Sequence, residues 1–172
     1  MDSRGVYSKM KVLFIGLGGV GQRHLRNSID ILDEIEIHAF RKRGLKSEVT
    51  NTLDKNDNEN IESKYSIVTH NNIDDALSVN PGAVIIANPS SMHFDVLKSC
   101  LEKNIPCFVE KPMVTSSAGV DELLELANFG VRHSMVGFQL RYNPVIEKLK
   151  EIIENGGLGK VLSCRAEVCE YM

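Results

Sequence analysis

Lys11-Val12-Leu13-Phe14-Ile15-Gly16-Leu17-Gly18-Gly19-Val20-Gly21 is the stretch from which the rest of the chain is read. Residues 11–15 (KVLFI) form a short apolar run with β-branched members, the pattern of a strand buried on both faces of a parallel sheet. Residues 16–21 are G-x-G-x-x-G, which is weak alone but acquires meaning between a strand and a helix. Gly16 permits a tight turn, Gly18 lets a pyrophosphate approach the backbone, and Gly21 lets helix and strand pack closely. Leu17, Gly19 and Val20 complete the loop. The free N–H groups and positive dipole of the following helix, expected over 19–32 from Val20, Leu25, Ile29 and Leu32, would receive phosphate oxygens. A P-loop lysine and hydroxyl are absent, which argues against a kinase or ATPase of that type.

Working outward, strand and helix signals alternate. Alternating residues predict a strand over 34–40. Leu45, Val49 and Leu53 recur every four residues and suggest a short helix, followed by a mobile asparagine-rich surface segment up to residue 64. Strands are expected over 67–69, 83–87, 106–110 and 133–139. Helices are expected after Asn72, on the face of Met92, Val96, Leu97, Cys100 and Leu101, and on Val120, Leu123, Leu124 and Ala127. This order predicts an α/β fold, a doubly wound parallel sheet of the Rossmann dinucleotide-binding kind, over residues 1–142. Ligands of such sheets lie beyond the carboxyl ends of the strands. A second unit is expected over 143–172. Asn143 caps a helix with Pro144 in its first turn and an apolar stripe of Val145, Ile146, Leu149, Ile152 and Ile153, which Gly156 and Gly157 end. A half-buried strand follows over 161–171. This reads as the start of an incomplete second α/β domain, and the unpaired strand suggests a homo-oligomer.

The chain has 172 residues, 42% of them hydrophobic and 25% charged, enough for a domain with a real core. Its 20 basic and 23 acidic residues give a net charge of −3, so neither general nucleic-acid binding nor membrane-surface binding is expected. Residues 1–9 read as a disordered lead-in without a signal core, and no run has the length of a membrane helix. Cys100, Cys107, Cys164 and Cys169 show no zinc-ligand spacing and read as reduced thiols of a cytoplasmic protein, with a disulfide as the alternative.

The end of the second strand bears on the cofactor. An acidic residue about 20 positions past the glycines usually binds the ribose diol of NAD. Here that position is Arg41, followed by Lys42 and Arg43. A guanidinium can pair with a 2′-phosphate and stack on adenine, which favours NADP(H) over NAD(H). The alternative is an exposed basic loop without a ligand.

Three further motifs follow strands or open the second unit: Asn88-Pro89-Ser90-Ser91-Met92-His93, Glu110-Lys111-Pro112, and the R-x-x-P of Arg141 and Pro144. With the glycine loop, in this order and spacing, they resemble the Gfo/Idh/MocA oxidoreductase family (glucose–fructose oxidoreductase, inositol dehydrogenase and relatives) over residues 11–171. The resemblance implies a dinucleotide-binding domain followed by an open-faced α/β domain that holds substrate. It implies that Lys111 sits beside the nicotinamide and the substrate hydroxyl, as the catalytic group. A lysine beside a positively charged ring gives up its proton more readily, which suits acid–base work on an alcohol. Glu110 orients this loop and reaches towards the nicotinamide ribose, and Lys111–Pro112 takes the cis form.

Asn88, Pro89, Ser90 and His93 fall at the family's cofactor-side positions, with Asn88 where many relatives carry threonine. His93 also reads as a capping or packing histidine. Arg141 braces the hinge or the cofactor. His24, His38, His70 and His133 are scattered, without metal spacing. The activity implied is hydride transfer between NADP(H) and a hydroxyl or carbonyl of a sugar, cyclitol or nucleotide-sugar. Family members add an aspartate and a histidine from beyond position 172, so this chain is expected to bind dinucleotide and to turn over substrate poorly or not at all. The competing reading is a non-catalytic, redox-sensing dinucleotide-binding module, from which Lys111→Ala would remove nothing. A Rossmann-like methyltransferase needs no E-K-P, and Arg41 speaks against it.

Overall fold

The computed structural model describes residues 9–42, 44, 46–50, 52, 54–129 and 133–167. Residues 1–8 of the expected lead-in, Arg43, Leu45, Leu53 and Cys169 lie outside the described residues. The elements run β1 (Met10–Ile15), α1 (Gly19–Ile31), β2 (Ile35–Phe40), β3 (Ser47–Val49), β4 (Lys55–Asn60), α2 (Ile61–Lys64), β5 (Val68–His70), α3 (Ile73–Ser78), β6 (Ala83–Ile86), α4 (His93–Glu102), β7 (Cys107–Glu110), α5 (Val120–Phe129), β8 (Met135–Gly137) and α6 (Pro144–Glu154). Short 3₁₀ turns cover Ser90–Met92 and Gln139–Tyr142.

Six strands form one parallel sheet in the order β5-β2-β1-β6-β7-β8. β1 lies between β2 on one side and β6 on the other, so the winding reverses direction there, and an open α/β sheet presents its ligand crevice at that point. The apolar run of β1 is accounted for by burial on both sides. Leu13 and Ile15 join a core of Val84, Ile86, Val96, Leu97, Cys100 and Leu101 under α3, α4 and α5. Val12 and Phe14 join the opposite core, with Leu25, Ile37, Ala39 and Ile61. A side chain on either face therefore leaves water, which is why polar alternation is missing from this strand.

The expected helix and mobile segment between residues 44 and 64 are replaced by structure. β3 and β4 form an antiparallel hairpin, with Val49 opposite Lys55 and an irregularity between Ser47 and Glu48. Helical spacing there was carried by Leu45, Val49 and Leu53, and Val49 is a strand residue. The hairpin is held by α1. The buried Gln22 donates to the carbonyls of Leu17 (3.1 Å) and Ser47 (3.0 Å) and accepts from the Val49 N–H (2.6 Å), while Arg26 donates to the Val49 carbonyl (3.0 Å). Both carboxylate oxygens of Glu48, also buried, accept from Lys64 at 2.9 Å. Asn60 caps α2 by accepting from the Glu62 N–H at 3.0 Å. Polar strand residues pair here because side chains from elsewhere in the fold supply the partners.

The chain divides into two compact units, one ending at Gly137 and another beginning at Phe138. In the second, Asn143 accepts from the Val145 N–H at 2.9 Å and Pro144 stands in the first turn of α6. The strand expected over 161–171 is not formed across 161–167, which join no ladder, and residues 168–172 lie outside the described residues. A strand exists only through a partner, and none of the described residues provides one. No helix among the described residues is long and apolar enough to cross a membrane. Cys100, Cys107 and Cys164 are free thiols, and a hydrogen bond with Cys100 together with burial pushes the Cys107 thiol far up.

Candidate functional site

The glycine loop turns where β1 ends. Gly16 has φ +91°, and a side chain there would meet the Ala87 carbonyl oxygen and Asn88 backbone at 2.9 Å. Its N–H donates to the Phe40 carbonyl at 2.9 Å, and the Ala87 N–H donates to the Ile15 carbonyl at 2.9 Å. The loop is thereby stitched to the ends of β2 and β6. A Cβ on Gly21 would lie 2.2 Å from the Gly16 carbonyl oxygen, so only glycine allows α1 to start this close to the turn. Gly18 is different, since a Cβ there would meet nothing within 4 Å among the described residues beyond its chain neighbours. The space beside it is open to a ligand rather than filled by protein. Gly18 is also the N-cap of α1 and offers no side-chain cap. The N–H groups of Gly19, Val20 and Gly21 thus form the positive, uncapped end of a 13-residue helix.

A crevice of about 450 Å³ opens over this loop at the carboxyl ends of β1, β2 and β6. Gly16, Leu17, Gly18, Arg41, Lys42, Asn88 and Pro89 line it, and so do Phe40 and Met92, which were not among the expected site residues. Their signal was positional: each stands beside a named residue, Phe40 as the last residue of β2 and Met92 in the turn opening α4. Arg41 is part of the wall, but its Nη2 also donates to Oε1 of Glu62, and Lys46 Nζ lies 3.3 Å from the other Glu62 oxygen. Burial opposes ionisation of Glu62, yet the bonds and charges of Arg41 and Lys46 outweigh it and hold the carboxyl below its ordinary range. An acid 21 residues away in the sequence, carried on α2, therefore stands against the residue that was expected to greet a ribose phosphate.

The other expected residues form a second, connected group. Asn88 Oδ1 is buried at the crevice wall without a hydrogen-bond partner among the described residues. Ser90 begins the 3₁₀ turn. His93 is buried, with Nδ1 2.9 Å from the Pro112 carbonyl oxygen and Nε2 2.9 Å from that of Asn88. It ties the loop after β6 to the loop after β7, whose Lys111–Pro112 peptide is cis. Glu110 points to α1: its Oε1 is 2.7 Å from His24 Nε2, and its Oε2 accepts from the Lys111 N–H at 3.3 Å. His24, read from the sequence as one of several scattered histidines, lies one turn beyond Gly21 on α1. It also packs edge-on against Phe108, with ring centroids 4.9 Å apart. Lys111 itself is exposed at the end of β7. Among the described residues no group of three or more histidine, cysteine, aspartate or glutamate side chains is placed to hold a metal.

Comparison with known proteins agrees with this architecture. The model of the Gfo/Idh/MocA oxidoreductase family, NAD-binding Rossmann fold, matches residues 10–138. An inositol 2-dehydrogenase of Streptomyces avermitilis is 29% identical over 154 residues, covering 88% of this chain and 42% of its own. The crystal structure of myo-inositol 2-dehydrogenase from Lactobacillus plantarum superposes with a TM-score of 0.71 at 22% identity, over 90% of this chain and 43% of that one. Scyllo-inositol dehydrogenase from Lactobacillus casei, solved with bound NAD(H) and scyllo-inositol, gives 0.70 at 18% identity, over 88% of this chain and 43% of that one. The chain spans less than half the length of these relatives. It belongs to the Gfo/Idh/MocA oxidoreductase family and carries that family's NAD-binding Rossmann fold.

Proposed function

We propose that this chain is the coenzyme-binding part of an oxidoreductase that passes a hydride between NADP(H), preferred over NAD(H), and a hydroxyl or carbonyl of a sugar, cyclitol or nucleotide-sugar. The observation that carries the reading is the open space at Gly18 before the uncapped start of α1, at the point where the sheet reverses its winding. The residues present fit a dinucleotide. The first-turn N–H groups suit a diphosphate, and the unpartnered Oδ1 of Asn88 suits an amide or hydroxyl donor. The cyclitol class is suggested by the inositol dehydrogenases among the relatives.

When bound, the nicotinamide supplies the site that takes up or releases hydride. The chain's own residues do the rest. Gly16 and Gly21 hold the loop in the one shape that leaves Gly18 open. Arg41 and Lys42 offer positive charge at the edge of the crevice next to β2, the basis of the NADP(H) preference. Lys111 Nζ is the group we assign to the substrate hydroxyl proton. Glu110, braced by His24, and His93, joined to Pro112, fix the backbone on either side of Lys111.

Calorimetric titration of the 172-residue chain with NADPH and NADH tests the binding half of the proposal. One equivalent bound, with NADPH the tighter, is expected; absence of binding by both would overturn it. The chemical half is tested in any form of the protein that turns over. There Lys111→Ala should abolish kcat while the NADPH Kd stays within about threefold, and retained turnover would remove Lys111 from the reaction.

A further inference from the structure

We infer that Glu62 sets the margin by which this site discriminates NADPH from NADH, acting through Arg41. The inference rests on the dinucleotide reading of the crevice and adds a residue from outside every motif that suggested it.

Glu62 is placed firmly. Its N–H donates to Asn60 Oδ1 at 3.0 Å and its carbonyl accepts from the Ile67 N–H at 2.9 Å. The preceding residue, Ile61, is fully buried in the core under α1, and its own N–H donates to the Lys46 carbonyl at 2.9 Å. The side chain so anchored sends one carboxylate oxygen to Arg41 Nη2 and the other towards Lys46. Both partners of the Arg41 pair are largely withdrawn from water, at 8% and 19% side-chain exposure, so water screens the pair only in part.

A phosphate approaching Arg41 from the crevice meets two consequences of this pairing. One donor of the guanidinium is already committed to the carboxylate. The carboxylate's negative charge also lies against the guanidinium and cancels part of its field. A coenzyme that carries a 2′-phosphate experiences both effects, whereas one with a bare 2′-hydroxyl experiences little of either. Arg41 and Lys42 confer the preference for NADPH, and Glu62 keeps that preference narrow enough for NADH to be accepted.

The test is the ratio of the two dissociation constants, measured by titrating NADPH and NADH into the whole chain and into Glu62→Gln, which keeps the shape and removes the charge. The expected result is NADPH binding tightened roughly five- to thirtyfold, with NADH changed by less than about twofold. The gain should shrink as salt is raised. Unfolding curves are read first, and Glu62→Ala, which removes the same charge, replaces Glu62→Gln if that variant does not fold. An unchanged ratio would overturn the inference. So would weaker NADPH binding, which would make Glu62 a brace that presents Arg41 to the phosphate. If the unaltered chain binds neither coenzyme, the reading of the crevice fails and this inference falls with it; if it binds both and only the ratio fails to move, this inference fails alone.

Discussion

The two sides of the crevice are built by different means. On the glycine side the shape is set by backbone sterics: a left-handed turn at Gly16 pressed against the Ala87–Asn88 backbone, open space at Gly18, and a contact at Gly21 that no side chain could survive. On the side of Arg41, β2 delivers a cation, but its setting comes from α2, 21 residues away, and from a hairpin hung on Gln22. The first arrangement is rigid, so a single methyl group added at Gly16 or Gly21 should break it. The second is assembled by the tertiary fold and balances charges, so substitutions there should adjust it.

The largest effect expected from this contrast is at Gly21. Alanine there must displace the Gly16 carbonyl, and Gly21→Ala should lose about 3 kcal/mol or more of stability in urea unfolding. A variant as stable as the parent would show that the turn can relax and that the steric argument is wrong. His93→Leu comes next. It leaves the carbonyls of Asn88 and Pro112 facing an apolar side chain and should cost about 2–4 kcal/mol in the same assay. A cost below about 1 kcal/mol would mean that water or backbone movement replaces the imidazole at these carbonyls.

The glycine side was legible in the sequence because its motif and flanking elements lie within a few residues of one another. The strand before Gly16, the helix after it and the caps at Asn72 and Asn143 are local, and the structure places each of them. The side of Arg41 was legible only in part. Arg41 could be found by counting from Gly21, but nothing near it in sequence announces Glu62. The β3–β4 hairpin was missed because Lys55-Asn56-Asp57-Asn58-Glu59-Asn60 has poor strand composition and pairs with β3, which side chains from α1 and α2 hold in place. His24 and Glu110 lie 86 residues apart, so their contact could not be read from spacing. The strand expected after α6 came from a sound alternating pattern, but pattern alone does not supply a neighbour.

A smaller effect probes the same edge of the sheet through pH. His70, opposite Phe40 at the end of β5, lies below the ordinary histidine range because burial disfavours its charged form and the neighbouring His38 adds to this, with Asp75 opposing. Since the folded state resists protonation, stability from this group is complete above the unfolded value of about 6.5 and is lost as pH falls through the lower folded value. The thermal midpoint should therefore decline as pH is lowered from about 7 to about 5, and His70→Gln should flatten that slope. An equally steep slope in the variant would assign the effect to other groups.

Gly18→Ala, titrated with NADPH beside the parent chain, shows whether a dinucleotide lies against the glycine loop. The added methyl meets nothing within 4 Å among the described residues beyond its own chain neighbours, so an unfolding midpoint close to that of the parent is expected. NADPH affinity should fall about tenfold or more, because the methyl stands where the diphosphate must approach. Unchanged affinity in a normally folded variant would contradict this reading, since the dinucleotide would then not lie against this loop.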